Sequence, residues 1–172
     1  TEDGISPRLL PGKSKNLVAA DSDEHNERGW ITESAEMRTK MMDKRLKKLQ
    51  QLKLELSEPE FIGRENFTTL LLGWGSTYGP ITEAINILNT KAKDQFAALV
   101  FGDIYPLPHK LLEEKAQQAT IIINVEQNAT GQLALLIRQQ SGIVCNESIL
   151  KYDGRQITAA EIVTAVLEAV QR

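Results

Sequence analysis

Three short segments combine chemistry-bearing residues with the end of an apolar run. The first is Gly73-Trp-Gly-Ser-Thr-Tyr-Gly79-Pro80. Its glycines, Gly73 and Gly75 above all, permit close backbone approach, and Ser76 and Thr77 offer hydroxyls just before a helix start. Such an arrangement can hold an anion. It can equally be a tight strand-to-helix turn with Trp74 as a packing anchor. No Lys follows the glycines, and the spacing fits neither the P-loop nor the dinucleotide pattern. The second segment, Phe101 to Pro108, carries Asp103 and Tyr105 in a loop stiffened by Pro106 and Pro108. The third is Glu126-Gln-Asn-Ala-Thr-Gly-Gln132. A carboxylate ending an apolar strand either gathers donors or becomes a perturbed acid. Asn128, Thr130 and Gln132 are at hand as partners, and an N-cap cluster closing a helix is the plainer alternative.

Two further candidates lie near the start of the chain. Glu24 and His25 could act as an acid–base pair, or His25 could be an ordinary loop histidine. Arg8 stands in Gly4-Ile-Ser-Pro-Arg-Leu-Leu-Pro-Gly12, where a held guanidinium can grip a carboxylate with two hydrogen bonds. No Ser-His-Asp set, glycosidase pair or metal cluster can be assembled, so no catalytic residue and no metal ligand is assigned.

The elements that must position these residues divide near Pro59. Residues 1–33 read as a turn-rich arm, with one short strand at Leu17 to Ala20 and an acidic stretch from Asp21 to Glu27. Residues 34–56 read as a long helix capped by Ser34, with Met42, Leu46, Leu49, Leu52 and Leu56 as one apolar stripe. Its Lys40, Lys44, Arg45, Lys47, Lys48 and Lys53 read as a solvated basic face. From Pro59 onward strands and helices alternate. Strands are expected at Thr68 to Gly73, Phe96 to Phe101, Thr120 to Val125 and Ser148 to Lys151. Helices are expected at Pro80 to Asn89, Pro108 to Gln117, Ala129 to Gln139 (capped by Asn128) and Thr158 to Val170. The last opens on the capping box Thr158-Ala-Ala-Glu161. Continuous apolar runs such as Ala97 to Phe101 are the mark of strands buried on both faces. The fold class is therefore α/β, a mainly parallel sheet covered by helices.

Composition narrows the function classes. The 172 residues are 41% hydrophobic and 25% charged, a folded-protein balance that excludes wholesale disorder. A net charge of −3 gives no electrostatic reason to expect nucleic acid or an acidic membrane as partner. The single cysteine, Cys145, excludes an internal disulfide or a thiolate-held cluster and suits a cytoplasmic location. No apolar run approaches the ~20 residues of a membrane span, and the sequence has no signal-peptide pattern. The start at Thr1 suggests a piece of something longer.

Seven segments in register resemble a known family: Gly4-Ile-Ser-Pro-Arg with Pro-Gly12, Asp23-Glu-His-Asn to Glu33, Arg38 to Lys48, Gly73-Trp-Gly-Ser-Thr77, Ile104-Tyr-Pro106, Val125 to Gln132, and Lys151-Tyr-Asp-Gly-Arg155. The chain is similar, over almost its whole length, to the alpha subunit of 2-oxoacid:ferredoxin oxidoreductases, nearest to the 2-oxoglutarate type. The resemblance implies oxidative decarboxylation of a 2-oxoacid on thiamine diphosphate, with the acyl group passed to coenzyme A and electrons to ferredoxin. It implies that residues 1–33 are the tail of the pyrimidine-binding thiamine domain, that residues 34–58 are a connecting long helix, and that residues 59–172 are a transketolase C-terminal-like domain. The chain would then be a C-terminal portion of the subunit, inactive alone and binding no cofactor by itself. The full complex would hold thiamine diphosphate, magnesium and an iron–sulfur cluster. The implied partners are the beta subunit and a second alpha subunit.

Site residues carry over in the same way. Arg8 matches the arginine of the family's Ser-Pro-Arg turn, a holder of the 2-oxoacid carboxylate. Glu24, His25 and Thr32 match an acidic-His loop near the active centre or a subunit contact. Gly73, Gly75, Ser76, Thr77, Glu126, Asn128 and Thr130 match segments expected to shape a ligand or interface edge, and Asp103, read from the residues alone, is a further candidate for such a loop. The rival reading is a non-catalytic α/β module for docking or for binding a small anion.

Overall fold

A computed structural model describes residues 2–92 and 95–171; Thr1, Lys93, Asp94 and Arg172 lie outside the described residues. The chain forms two compact units, Thr1–Glu55 and Leu56–Arg172.

The second unit is a five-stranded sheet in the order β1-β3-β2-β4-β5. Its strands are β1 (Glu60–Gly63), β2 (Thr69–Trp74), β3 (Phe96–Phe101), β4 (Ile121–Glu126) and β5 (Glu147–Leu150). Strands β3, β2, β4 and β5 run parallel, and β1 pairs antiparallel with β3 at one edge. The alternation of strand and helix makes this order. Chain connections of this kind are right-handed, so the direction in which each strand is added decides which face its helix covers. Helix α2 (Tyr78–Ala92) and helix α5 (Ala159–Val170) share one face; α3 (Lys110–Gln118) and α4 (Gln132–Ser141) share the other.

Both faces are closed by apolar packing. Leu71, Ala98, Val100, Ile123 and Val125 meet Ile81, Ile85 and Leu88 of α2 and Ile162 and Val166 of α5. Leu70, Leu72, Ala97, Leu99 and Ile122 meet Leu112 of α3 and Leu133 and Ile137 of α4. Successive strand residues thus point to opposite faces and are buried on both, which accounts for the unbroken apolar runs. The capping box expected before α5 is present: Thr158 Oγ1 accepts from the Glu161 backbone N–H, and Glu161 accepts from the Thr158 N–H.

Several expected boundaries move. Strand β1 was not foreseen; it has four residues with half-exposed side chains, too short to show a period. Helix α2 starts two residues before Pro80, after a 3-10 turn at Gly75–Thr77. Helix α3 begins at Lys110 rather than Pro108, and its Leu111 N–H donates to the Glu58 carboxylate. Helix α4 begins at Gln132, not Ala129. The Asn128 side-chain oxygen accepts from the N–H groups of Thr130, Gly131 and Gln132, which folds a turn instead of a helix start. Gly131 completes it at φ +65°, a conformation that costs an L side chain strain.

The first unit holds α1 (Ala35–Leu52), capped by Ser34, whose Oγ accepts from the Met37 N–H. The helix ends four residues earlier than expected. Leu54 and Glu55 hydrogen-bond three residues back, which tightens and stops it ahead of Pro59. No residue of α1 is buried; Leu46 and Leu52 of the expected apolar stripe are exposed. Leu17 to Ala20 forms no strand: the nearest backbone bond runs from the Asp21 N–H, just past it, to the Gly29 carbonyl, and Leu17 is 95% exposed. Among the described residues, no helix is long and apolar enough to cross a membrane.

Candidate functional site

Strand order reverses between β2 and β4, because β3 is added on one side of β2 and β4 on the other. The crevice beyond the carboxyl ends of such a pair is where open α/β sheets gather ligands. Here it is bounded by the Trp74–Thr77 and Glu126–Gly131 segments.

Glu126 is completely buried at the end of β4. Its Oε1 accepts from Asn124 Nδ2 at 2.8 Å and from the Leu133 and Ala134 N–H groups at 2.9 and 3.3 Å. Its Oε2 accepts from Asn128 Nδ2 at 2.6 Å, from the Leu133 N–H at 3.0 Å and from Trp74 Nε1 at 3.2 Å. Burial pushes the carboxyl up, but the hydrogen bonds from Leu133, Asn128, Asn124 and Ala134 outweigh it and hold Glu126 below the usual glutamate value. Of the two alternatives for this residue, the structure supports the gathered donors: Glu126 is an ionised group closing the start of α4. Thr130 contributes only its backbone N–H, to Asn128.

The β2 segment is locked to this group. Thr77 Oγ1 accepts from the Trp74 N–H at 3.0 Å and donates to the Trp74 carbonyl at 2.9 Å. Gly73 is required by space. A Cβ there would lie 2.3 Å from Ile81 Cδ1 and 2.7 Å from Thr77 Oγ1. Gln127 then ties two loops together: its Nε2 donates to Ser76 Oγ at 3.2 Å, and its Oε1 accepts from the Ile157 N–H at 2.7 Å. Gly75 is open to solvent. Cys145 is a poor nucleophile, its thiol pushed up to about 11 by burial and then by the Glu126 charge.

Asp103 lines a shallow cleft with Glu58, Glu60, Gly75 and Tyr78. Its carboxylate accepts from the Ser57 N–H at 3.0 Å. The Tyr78 hydroxyl donates to Glu60 at 2.7 Å, and that carboxylate raises the pKa of the phenol. Tyr105 is exposed.

The first unit places the other candidates. Glu24 does not pair with His25. Its carboxylate accepts from Arg45 at 2.6 and 3.2 Å and from Arg38 at 2.7 Å. The Arg45 hydrogen bond, then that of Arg38, pulls Glu24 down to about 2, too weak a base for proton abstraction near neutrality. Arg45 is accordingly an ion-pair partner rather than part of a solvated face. The His25 ring turns Nδ1 to the Asp23 carbonyl at 2.9 Å. The loop between them closes as a small hairpin: His25 bridges Ile31, and the Thr32 N–H donates to the Glu24 carbonyl. Thr32 Oγ1 accepts from the Ser34 N–H, just ahead of α1. Arg8 is exposed, with no side-chain partner among the described residues.

Trp74, Gln127, Arg38 and Arg45 are the residues whose roles sequence reasoning missed. Arg38 and Arg45 are seven apart, hence on one face of a helix, and that spacing was a readable signal. Among the described residues, no group of three His, Cys, Asp or Glu is placed to hold a metal ion.

No family model matches the chain. It is 36% identical over 169 residues to the alpha subunit of 2-oxoacid:ferredoxin oxidoreductase 2 of Aeropyrum pernix, a match covering 96% of this chain and 26% of that protein. The chain thus spans about a quarter of the length of the curated relatives it matches. A solved 2-oxoglutarate:ferredoxin oxidoreductase from Magnetococcus marinus, with 2-oxoglutarate, coenzyme A and succinyl-CoA bound, superposes with a TM-score of 0.83 at 28% identity. It covers 99% of this chain and 30% of that one. A split-gene transketolase superposes with a TM-score of 0.51 at 18% identity, over 67% of this chain and 43% of that one, a likeness of fold alone.

Proposed function

We propose that this chain, related over nearly its whole length to 2-oxoacid:ferredoxin oxidoreductase alpha subunits, is the C-terminal part of such a subunit. The observation that carries the reading is the match to the Aeropyrum pernix subunit over 96% of the chain. The 0.83 superposition on the Magnetococcus marinus enzyme supports it. The subunit would take part in oxidative decarboxylation of a 2-oxoacid, with 2-oxoglutarate as the first candidate, giving acyl-CoA and electrons for ferredoxin.

In this reading the first 33 residues complete a thiamine domain, and residues 59–172 form a transketolase C-terminal-like domain. Thiamine diphosphate, magnesium and the iron–sulfur cluster belong to other parts of the assembly, including a beta subunit. What this chain supplies to the chemistry is Arg8, an exposed guanidinium between Pro7 and Pro11, as a two-point holder of the 2-oxoacid carboxylate. The α/β unit, with its β2 and β4 ends closed by the protein's own side chains, serves as a rigid body for assembly, with a second alpha subunit among its contacts.

The test is 2-oxoacid- and coenzyme A-dependent reduction of a viologen dye under anaerobic conditions. The full-length subunit is co-expressed with its beta partner and assayed beside this chain alone. Activity in the complex and none in the chain alone is the expected result. A well-assembled, cluster-loaded complex inert toward a panel of 2-oxoacids would overturn the reading.

A further inference from the structure

The receptor at the β2–β4 crevice is built for a carboxylate. Five N–H donors converge on the two oxygens of Glu126: the Leu133 and Ala134 backbone, the amides of Asn124 and Asn128, and the Trp74 indole. The first two come from the first turn of a ten-residue helix, where the positive end of the helix dipole favours an anion. Asn124 adds an independent sign. It is fully buried, its Nδ2 is committed to Glu126, and its Oδ1 has no partner. A buried amide left with an orphan acceptor is costly, and it is tolerated where its donor serves a charge.

We propose that Glu126 is a built-in ligand. The protein's own carboxylate fills the anion receptor at the point where strand order reverses, and through the indole N–H it is the positioning residue for Trp74. The indole is thereby fixed at the carboxyl end of the central strand β2, with 36% of the residue surface exposed. This end of the sheet then presents a set aromatic surface instead of exchanging a small anion. The proposal rests on the second unit alone and stands whether or not the oxidoreductase reading holds.

The full chain is made with Trp30→Phe, leaving Trp74 as its single tryptophan reporter. In that background Glu126→Ala removes the carboxylate and leaves room for one acetate among the same donors. The expected result is a lower melting temperature and a red-shifted Trp74 emission, both restored saturably by acetate. Chloride at equal ionic strength and acetamide restore neither, and acetate leaves the parent unchanged. If Glu126→Ala folds only when a ligand is supplied, recovery of folding by acetate over chloride is the same result.

Glu126→Gln supplies the second variant, keeping the shape but replacing one acceptor oxygen with a donor. It is expected to lose Trp74 order and to gain nothing from acetate. Acetate acting no better than chloride on Glu126→Ala would overturn the proposal, as would a Glu126→Gln chain with the parent's melting temperature and emission. Trp74 emission unmoved in Glu126→Ala would remove the positioning role.

Discussion

Arg45 grips Glu24 with both ends of its guanidinium: Nη2 donates to Oε2 at 2.6 Å and Nη1 to Oε1 at 3.2 Å. Arg38, two turns earlier on α1, donates to the same Oε2 at 2.7 Å. One carboxylate thus ties the acidic loop to the helix, and the loop's own backbone bonds complete the hairpin.

Removing that anion should loosen the loop before it unfolds anything else. Glu24→Gln leaves two guanidiniums facing each other with a neutral amide between them. Hydrogen exchange at neutral pH should rise several-fold for the amides of Asn26, Gly29 and Thr32, while those of β2 and β3 stay as they were. Because the folded-state pKa of Glu24 is depressed to about 2, its contribution is present above the unfolded carboxylate value and is lost as pH falls through 2. Equal protection in the variant and the parent would remove Glu24 as the fastening.

Glu126 makes a pH prediction of the same sign. Its pKa in the folded chain lies below the ordinary glutamate value, so the native state holds fewer protons there than the unfolded state as pH drops. Stability from this group is complete above that value and declines as pH falls through the depressed one. Urea unfolding of the parent and of Glu126→Gln should show a full gap at neutral pH that narrows as pH falls below the ordinary glutamate value. At neutral pH the gap should be about 2 kcal/mol or more, since each hydrogen bond to a buried charge contributes roughly 1.5–3 kcal/mol. A gap independent of pH would contradict the ionised assignment.

Gly73→Ala should destabilise the α/β unit. The added methyl would sit 2.3 Å from Ile81 Cδ1, and Ile81 is fully buried, so its side chain must shift within a packed core. Overpacking of this kind costs about 1–3 kcal/mol. The urea midpoint should fall with little change in the slope. A variant as stable as the parent would mean that α2 moves freely against β2.

What could be read from the sequence follows the physics of each element. The cores of β2, β3 and β4 were legible because strands buried on both faces are continuously apolar. Helix α5 was legible because Thr158 and Glu161 mark its start chemically as well as by period. The start of α4 was misplaced because Asn128 has two uses, and local sequence does not say which wins. The turn wins here, since Glu126 already satisfies the helix N–H groups. The fate of Glu126 depends on Trp74, which lies 52 positions away and arrives only through strand pairing. Arg45 looked like one more basic residue on a solvated helix, and only the folded loop brings Glu24 to it.

Thr158→Ala tests the best-marked helix start. It removes the acceptor for the Glu161 N–H and the hydroxyl that donates to Glu161 at 2.9 Å. Loss of such a cap costs about 1 kcal/mol. Lys151 should keep its ion pair with Glu161, 2.8 Å away, so the loss should stay near that value and be visible as a lower melting temperature. A loss several times larger would mean that the box also holds the β5–α5 loop.

Arg8 carries the functional prediction, and it needs the assembled enzyme. The guanidinium is exposed and has no partner among the described residues, so substituting it should leave the fold of this chain intact. If it holds the substrate carboxylate, Arg8→Ala should lower kcat/KM for the 2-oxoacid by a factor worth about 1.5–3 kcal/mol, roughly ten- to more than a hundred-fold. The split between constants says when the contact acts. A rise in KM with kcat unchanged means equal grip on substrate and transition state, and a fall in kcat means a grip that tightens during decarboxylation. Arg8→Lys should recover only part of the loss, because an ammonium offers a point charge where the carboxylate meets a planar fork. Unchanged kcat/KM in Arg8→Ala would take this residue out of the substrate site.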